Sequence, residues 1–382
     1  MSTLNIHFPG KLVFGNGCLH QLPDEIAAHT TGRVFIVTIA PLLPSLKGFI
    51  ESLEQKGIHV VTHTGIVREP SFQDFHRIMA EATSYNPDVV IGIGGGSVLD
   101  IAKLVAAQLG NDQTLVDYVG IGLLKQRARY LVCVPATSGT GSEVSPNAIL
   151  VDDAHGLKMG IISPFLVPDI VYVDPLLTIS VPPDITAATG LDALTHCLEA
   201  YTNKFSQPFI DIYAFEGMRL IAANLVKAVR DGADEEARAS VAMGSLLGGF
   251  CLGPVNTAAV HALSYPLGSS FHLPHGLSNA LLLPYVMEFN LPAAPERYAA
   301  VAQALGCPRE KGDLATAAQG VAKIRSLIRE CGLPATLKAV GVPYEAIGTM
   351  AADAMNITRL LKNNPRPVTL QDAINIYKSA YE

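Results

Sequence analysis

Apolar positions in the first 180 residues follow two alternating rhythms. Short runs rich in Val and Ile predict strands: "RVFIVTIA" (33–40), "IHVVTHTG" (58–65), "DVVIGIGGG" (88–96), "YLVCVPAT" (130–137) and "DIVYVDP" (169–175). Between the earlier runs, "LLPSLKGFIESLEQKG" and "FQDFHRIMAEATSYN" carry apolar residues at helical spacing. Strands alternating with helices predict a parallel sheet covered by helices on both faces. From Pro183 onward the rhythm is helical throughout. "DITAATGLDALTHCLEAYTNK", "IDIYAFEGMRLIAANLVKAV" and "EEARASVAMGSLLGGFCL" are long helical segments with no convincing strand between them. The tail, through "LATAAQGVAKIRSLIREC" and "LQDAINIYKSAYE", stays helical. The boundary therefore falls near residue 180, with an α/β domain over residues 1–180 and an all-α domain over 181–382. No internal repeat or low-complexity segment interrupts this plan.

Composition supports two well-buried globular domains. The chain has 382 residues, too many for one ordinary core, and is 49% hydrophobic with 16% charged residues. A net charge of −7 offers no basic footprint, which argues against a nucleic-acid partner. The six cysteines are scattered without a C-x-x-C pair, so neither a zinc ribbon nor a disulfide framework is expected. The first residues, "MSTLNIHFPGKLVFGNG", lack the basic start and apolar run of a signal peptide, and the cytoplasm is the expected location. Between Arg238 and Glu288 there is no charged residue at all. The breakers "GPVN", "YPLGSS" and "LPHG" are expected to interrupt any membrane span there, leaving buried helices and no membrane partner.

Two loops carry candidate cofactor chemistry. "IGIGGGSVLDIAK" (91–103) runs from a strand through glycines into a helix, with Gly94, Gly95, Gly96 and Ser97 as candidate phosphate contacts. Ser97 stands where the dinucleotide fingerprint G-x-G-x-x-G, counted from Gly92 and Gly94, needs its third glycine. "PATSGTGSEVSPNA" (135–148) is a second loop of small hydroxyl residues after an apolar strand. Each loop alone is equally well read as a tight turn or a surface loop. Together, at the carboxyl ends of parallel strands, they point to a nucleotide.

The helical half carries candidate metal chemistry. "GLDALTHCLEAY" puts Asp192 and His196 four residues apart, on one helix face. An isolated pair of this kind is more often a polar pair on a solvated face, but the neighbours Leu191, Ala193, Leu194 and Leu198 argue against full solvation here. "HALSYPLGSSFHLPHG" (261–276) adds His261, His272 and His275 inside the charge-free stretch. There His275 could cap a turn and His261 could be a satisfied core histidine. One carboxylate and three imidazoles also suit Zn²⁺ or Fe²⁺, with room for a substrate oxygen.

In order, "FGNG", "GGGSVLDIAK", "PATSGTGSE", "GLDALTHCLEAY" and "HALSYPLGSSFHLPHG" resemble the iron-containing (group III) alcohol dehydrogenase family over essentially the whole chain. The resemblance implies the dehydroquinate synthase-like architecture: a dinucleotide-binding N-terminal domain, a helical C-terminal domain and a metal in the cleft between them. It implies NAD or NADP and one divalent metal (Fe²⁺ or Zn²⁺), held by Asp192, His196, His261 and His275. Gly94, Gly95, Ser97 and Asp100 would border pyrophosphate and nicotinamide; Thr137, Thr140 and Ser142 would hold ribose or phosphate. Lys158 falls near the family's cofactor-contacting lysine, and Phe250 and Leu252 where the family lines its substrate pocket. The implied reaction interconverts a small alcohol and its aldehyde or ketone by hydride transfer, the metal polarising the substrate oxygen. A homodimer is implied as well.

Two departures from the family pattern stand out. Some members carry a histidine four positions after the metal ligand; here that position is Tyr265, so Tyr265 and His272 become the candidate catalytic helpers. NAD-preferring members often carry an Asp after the second strand, where this chain has Ile39, which removes a repulsion against the NADP 2′-phosphate. Two related enzymes are the alternatives. Maleylacetate reductases tend to have Asn where Asp192 stands. A dehydroquinate synthase-like lyase would need basic residues for a phosphorylated substrate, and 239–287 has none. A non-catalytic nucleotide sensor would leave four metal ligands unexplained.

Overall fold

Val34 and Ile36 project to one face of a strand whose Phe35 and Val37 project to the other, and all four are fully buried. Only a sheet covered on both sides gives such a strand its stability, since each fully buried Val, Ile or Phe contributes about 1.5–3 kcal/mol. The computed structural model, which describes residues 3–30, 32–153 and 157–382, shows this arrangement. Its secondary structure begins with β1 (Lys11–Phe14), α1 (Leu22–His29), β2 (Arg33–Val37), α2 (Leu43–Gln55), β3 (His59–His63), α3 (Phe72–Tyr85), β4 (Val89–Gly94) and α4 (Gly96–Gln108). Strands β5 (Gly120–Ile121), β6 (Tyr130–Pro135), β7 (Asn147–Asp152), β8 (Leu157–Ile162) and β9 (Ile170–Val173) follow.

The main sheet has the order β1-β9-β6-β4-β2-β3, and every pairing in it is parallel. Phe35, Val37, Val90, Leu131 and Cys133 bury one face against α3 and α4. Val34, Ile36, Val89, Ile91, Val132 and Val134 bury the other against α1 and α2. The five strands expected from sequence are all present. Two features were not anticipated. An edge strand, β1, pairs with β9, and a second sheet of order β5-β8-β7 contains the antiparallel pair β7–β8. The antiparallel pair is built from "NAILVD" and "LKMGII", which follow directly on the hydroxyl-rich loop.

The chain then becomes helical: α5 (Pro183–Thr202), α6 (Pro208–Arg230), α7 (Glu235–Leu252), α8 (Ala259–Phe271), α9 (His275–Asn290), α10 (Pro295–Ala304) and α11 (Asp313–Glu330). Helices α12 (Ile347–Met355), α13 (Thr358–Leu361) and α14 (Leu370–Ser379) complete it. No strand occurs after residue 180 among the described residues. Glycines let these helices approach closely: a Cβ on Gly244 would lie 2.5 Å from Ile221, and one on Gly217 2.5 Å from Cys197. By contact, Ile6–Thr137 with Gly141–Ile179 form one compact unit. Ser180–Glu382 with Ser138–Thr140 and residues 3–5 form the other.

One expectation about the charge-free stretch needs correcting. "YPLGSS" is not a break, because α8 runs through Pro266 to Phe271. The other two expected breakers hold, the helices being interrupted at 253–258 by "GPVN" and at 272–274 by the start of "LPHG". Helix α8 stops at His272, whose left-handed φ of 54° replaces the usual glycine, while Leu273 N–H donates to Leu267 O at 3.3 Å. All six cysteines are free.

Candidate metal centre and cofactor loops

Helix α5 begins with Pro183 in its first turn and Asp184 near its positive end, both favourable there. Asp192, His196 and Glu199 follow at positions i, i+4 and i+7, so they share one face, and all three are buried. His261 lies in the first turn of α8, and His275 is the first residue of α9. The structure brings all four expected ligands together. One ligand atom from each of Asp192, His196, His261 and His275 lies within 4.8 Å of the others. Asp192 Oδ1 is 3.7 Å from His196 Nε2, 3.6 Å from His261 Nε2 and 3.7 Å from His275 Nε2. The His196 and His261 rings stack with centroids 4.8 Å apart.

This donor set fits a divalent cation: three imidazole nitrogens and a carboxylate oxygen converge from three helices. Burial works against the Asp192 charge. The charges of His196 and His275, with the hydrogen bond and charge of His261, more than offset it and hold the carboxyl well below its ordinary range. Burial pushes His196 down against the pull of Asp192. For His261 burial also works downward, but Glu199 and Asp192 outweigh it and raise the imidazole to about 9. The His275 side chain keeps 27% of its surface exposed, while those of Asp192, His196 and His261 are almost wholly buried. The site is therefore open on the His275 side.

Two participants were missed from sequence. Glu199 accepts from His261 Nδ1 at 2.6 Å and from the backbone N–H groups of Ala258 at 3.0 Å and Val260 at 2.6 Å. Asn279, fully buried on α9, donates through Nδ2 to Asp192 Oδ1 at 2.7 Å. The same Nδ2 lies 3.1 Å from His261 Nε2 and 3.3 Å from His275 Nε2. Helical spacing was the available signal, since Glu199 follows His196 by three residues and Asn279 follows His275 by four.

Of the two candidate helpers, Tyr265 is half-buried on α8 with its ring centroid 6.2 Å from that of His275. His272 is an exposed residue at the end of α8. Phe250 on α7 packs its ring 5.6 Å from Tyr213, and Leu252 is buried at the end of the same helix. A Cβ on Gly139 would lie 2.8 Å from Thr189 Cβ, so only glycine lets this part of the hydroxyl-rich loop lie against α5. Thr140 beside it is half-buried.

In the α/β unit the glycine loop joins β4 to α4. Gly92 and Gly94 are needed for close packing, because a Cβ on either would fall 2.7 Å from Ala102 or Val98. Gly95 precedes α4 with no side-chain cap, and Gly96 and Ser97 form its first turn, each half-buried. Gly94 pairs with Pro135, so the two loops leave adjacent strands. Thr137 Oγ1 would lie 3.4 Å from a Cβ on Gly95.

Asp100 and Ser142 bond each other, with Ser142 Oγ donating to Asp100 Oδ1 at 2.5 Å while Ile149 N–H donates to Oδ2 at 2.9 Å. Lys103, fully buried and unremarked from sequence, donates to Ser142 Oγ, Ser145 O and Asn147 O, each at 2.9 Å. These bonds fasten the 142–149 segment to α4. Lys158, on β8, pairs with Glu69.

Family models place this geometry. Residues 9–175 match iron-containing alcohol dehydrogenase, and residues 186–381 match the C-terminal part of the Fe-containing alcohol dehydrogenase family. The chain belongs to the iron-containing alcohol dehydrogenase family. It is 37% identical to long-chain-alcohol dehydrogenase 1 of Geobacillus thermodenitrificans (strain NG80-2), over 100% of this chain and 98% of that one. It is 32% identical to the NAD-dependent methanol dehydrogenase of Bacillus methanolicus, over 98% and 99%. A crystal structure of 1,3-propanediol oxidoreductase superposes with a TM-score of 0.96 at 31% identity, covering 100% of both chains. As a family member the chain is a metal-dependent alcohol/aldehyde oxidoreductase that works with a nicotinamide cofactor.

Proposed function

We propose that Asp192, His196, His261 and His275 hold one divalent cation, Fe²⁺ or Zn²⁺, and that residues 181–382 form the metal and substrate domain. The convergence of the four ligand atoms within 4.8 Å carries this reading. A cation held by these four residues would supply Lewis acidity toward the oxygen of an alcohol or aldehyde, the chemistry that hydride exchange with a nicotinamide requires. Asn279 fixes the Asp192 carboxylate by its 2.7 Å hydrogen bond. The exposed part of His275 marks the side from which substrate arrives, and Tyr265, beside it, is the better-supported helper. His272 is the weaker one, being exposed at the end of α8. With no Lys or Arg between residues 239 and 287, a small neutral alcohol or aldehyde is favoured over an anionic substrate.

Residues 1–180 are proposed to bind NAD or NADP. The uncapped first turn of α4, with Gly94, Gly95, Gly96 and Ser97, suits pyrophosphate. Thr137, Thr140, Ser142 and Lys158 are assigned to the remainder of the cofactor. Asp100 acts there by holding Ser142. Ile39, two residues after β2, leaves NADP acceptable. No described helix is long and apolar enough to cross a membrane. A homodimer is the reading that family resemblance supports, with the low charged fraction in keeping with it, and the cytoplasm is the proposed location.

The test is an anaerobic screen of short alcohols and aldehydes with NAD and with NADP, using protein of measured metal content. The expected result is NAD(P)H formed from an alcohol, with Asp192→Ala and His275→Ala losing both bound metal and turnover. Full turnover in a variant shown to be metal-free would overturn the reading.

A further inference from the structure

Helix α8 starts without a cap of its own. Ala258 precedes it and has no side chain able to accept from the free N–H groups of the first turn. A side chain from another helix takes over part of that role. Glu199, reaching from α5, accepts from Val260 N–H through Oε1 and from Ala258 N–H through Oε2. The same Oε2 accepts from His261 Nδ1 at 2.6 Å. Both carboxylate oxygens are thus occupied by donors, and an anion at a helix N-terminus is favourable in itself.

We propose that Glu199 is a positioning residue of the metal site. Its carboxylate fixes His261 in the tautomer that carries hydrogen on Nδ1 and leaves Nε2 free for a cation, and it anchors the first turn of α8 in the same contact. A neutral imidazole has one donor and one acceptor nitrogen. When a cation replaces the Nε2 proton, the remaining hydrogen stays on Nδ1 against the acceptor-only carboxylate oxygen, and the lone pair is on Nε2. That nitrogen is the one 3.6 Å from Asp192 Oδ1. Asp192 and Glu199 lie two turns apart on one face of α5, so a single rigid helix sets both the carboxylate ligand and the orientation of the His261 ring. Glu199 is 3% exposed, which leaves water little access to replace it.

The inference rests on the ligand assignment proposed above, and the experiment separates the two. Zn²⁺ and Co²⁺ affinities are measured by chelator competition, together with the Co²⁺ absorption spectrum and the melting temperature of metal-free protein. The proteins are the unaltered chain, Glu199→Gln, His261→Ala and the double variant. An amide cannot accept at both oxygen positions, so Glu199→Gln is expected to weaken metal binding about 10–100-fold and to change the Co²⁺ spectrum. In the His261→Ala background the same change is expected to cost little more, because its effect passes through His261.

Unchanged affinity and spectrum in Glu199→Gln, with only a lower melting temperature, would reduce Glu199 to a helix cap and overturn the proposal. So would a penalty that persists in full without His261. If Glu199→Gln does not fold, Glu199→Asp, which keeps the charge one methylene short, is read by the same criteria. Failure of the unaltered chain to bind one metal, or of His261→Ala to weaken binding, would overturn the ligand assignment instead.

Discussion

Glu143 shows how strongly one residue can tie this protein to pH. It is 3% exposed, and burial pushes its carboxyl from 4.5 up to about 7, against its own backbone hydrogen bond and the charge of Lys103. Between those two values the folded chain binds a proton that the unfolded chain does not, so stability falls as pH rises through this window. The full contribution is present below about 4.5 and lost above about 7, amounting to roughly 2–4 kcal/mol. Glu143→Gln removes the ionisation at nearly constant shape. Its melting temperature is expected to exceed that of the unaltered chain clearly at pH 8 and only slightly at pH 5. Equal differences at both pH values would refute this account. Lys103 nearby shows the opposite solution for a buried charge, with three acceptors at 2.9 Å gathered around one ammonium group.

At the scale of elements, the metal site depends on how closely α9 approaches α5. A Cβ on Gly276 would lie 2.2 Å from Ala188 O and 3.2 Å from Asp192 Cβ. Gly276→Ala must therefore push the start of α9, and His275 with it, away from Asp192. Overpacking of this kind costs about 1–3 kcal/mol. The expected outcome is a lower melting temperature together with weaker metal binding. Gly320→Ala is the control: its Cβ would meet Ala302 Cβ at 3.0 Å, between α11 and α10. That variant is expected to lose stability while keeping its metal affinity. Equal metal affinity in both variants would show that the α5–α9 approach does not set the site.

For the whole molecule, the proposed ligands all lie in the helical unit, on α5, α8 and α9. A ligand bound only by folded protein stabilises it by about 2.7 kcal/mol at a free concentration one hundred times its Kd. Chelation is expected to lower the melting temperature, and added Zn²⁺ to restore it. Hydrogen exchange locates the effect: slower exchange on metal addition is expected in α5, α8 and α9, with β2, β3 and β4 unchanged. Protection gained equally in the sheet strands would contradict the assignment of the metal to this unit.

Local chemistry determined much of this protein. Short runs of Val and Ile bounded by turn residues favour strands, so β2, β3, β4, β6 and β9 were legible from the chain, as was the helical second half. The quartet Asp192, His196, His261 and His275 was readable because two ligands share a helix turn and two histidines stand in a charge-free stretch. What the sequence could not determine were the relations between segments far apart. Glu199 looked like an ordinary helix acid until folding set it against His261, 62 positions away. Asn279 and Lys103 were as unremarkable, their partners lying up to 87 and 44 residues off. Strand β1 has too little apolar pattern to announce itself and exists through pairing with β9. Pro266 read as a break, yet α8 passes through it, because burial of the surrounding helix outweighed one missing hydrogen bond. Residue type and spacing decide which chemistry is available, but only tertiary packing decides which groups face one another, because a hydrogen bond acts over about 3 Å whatever the distance along the chain.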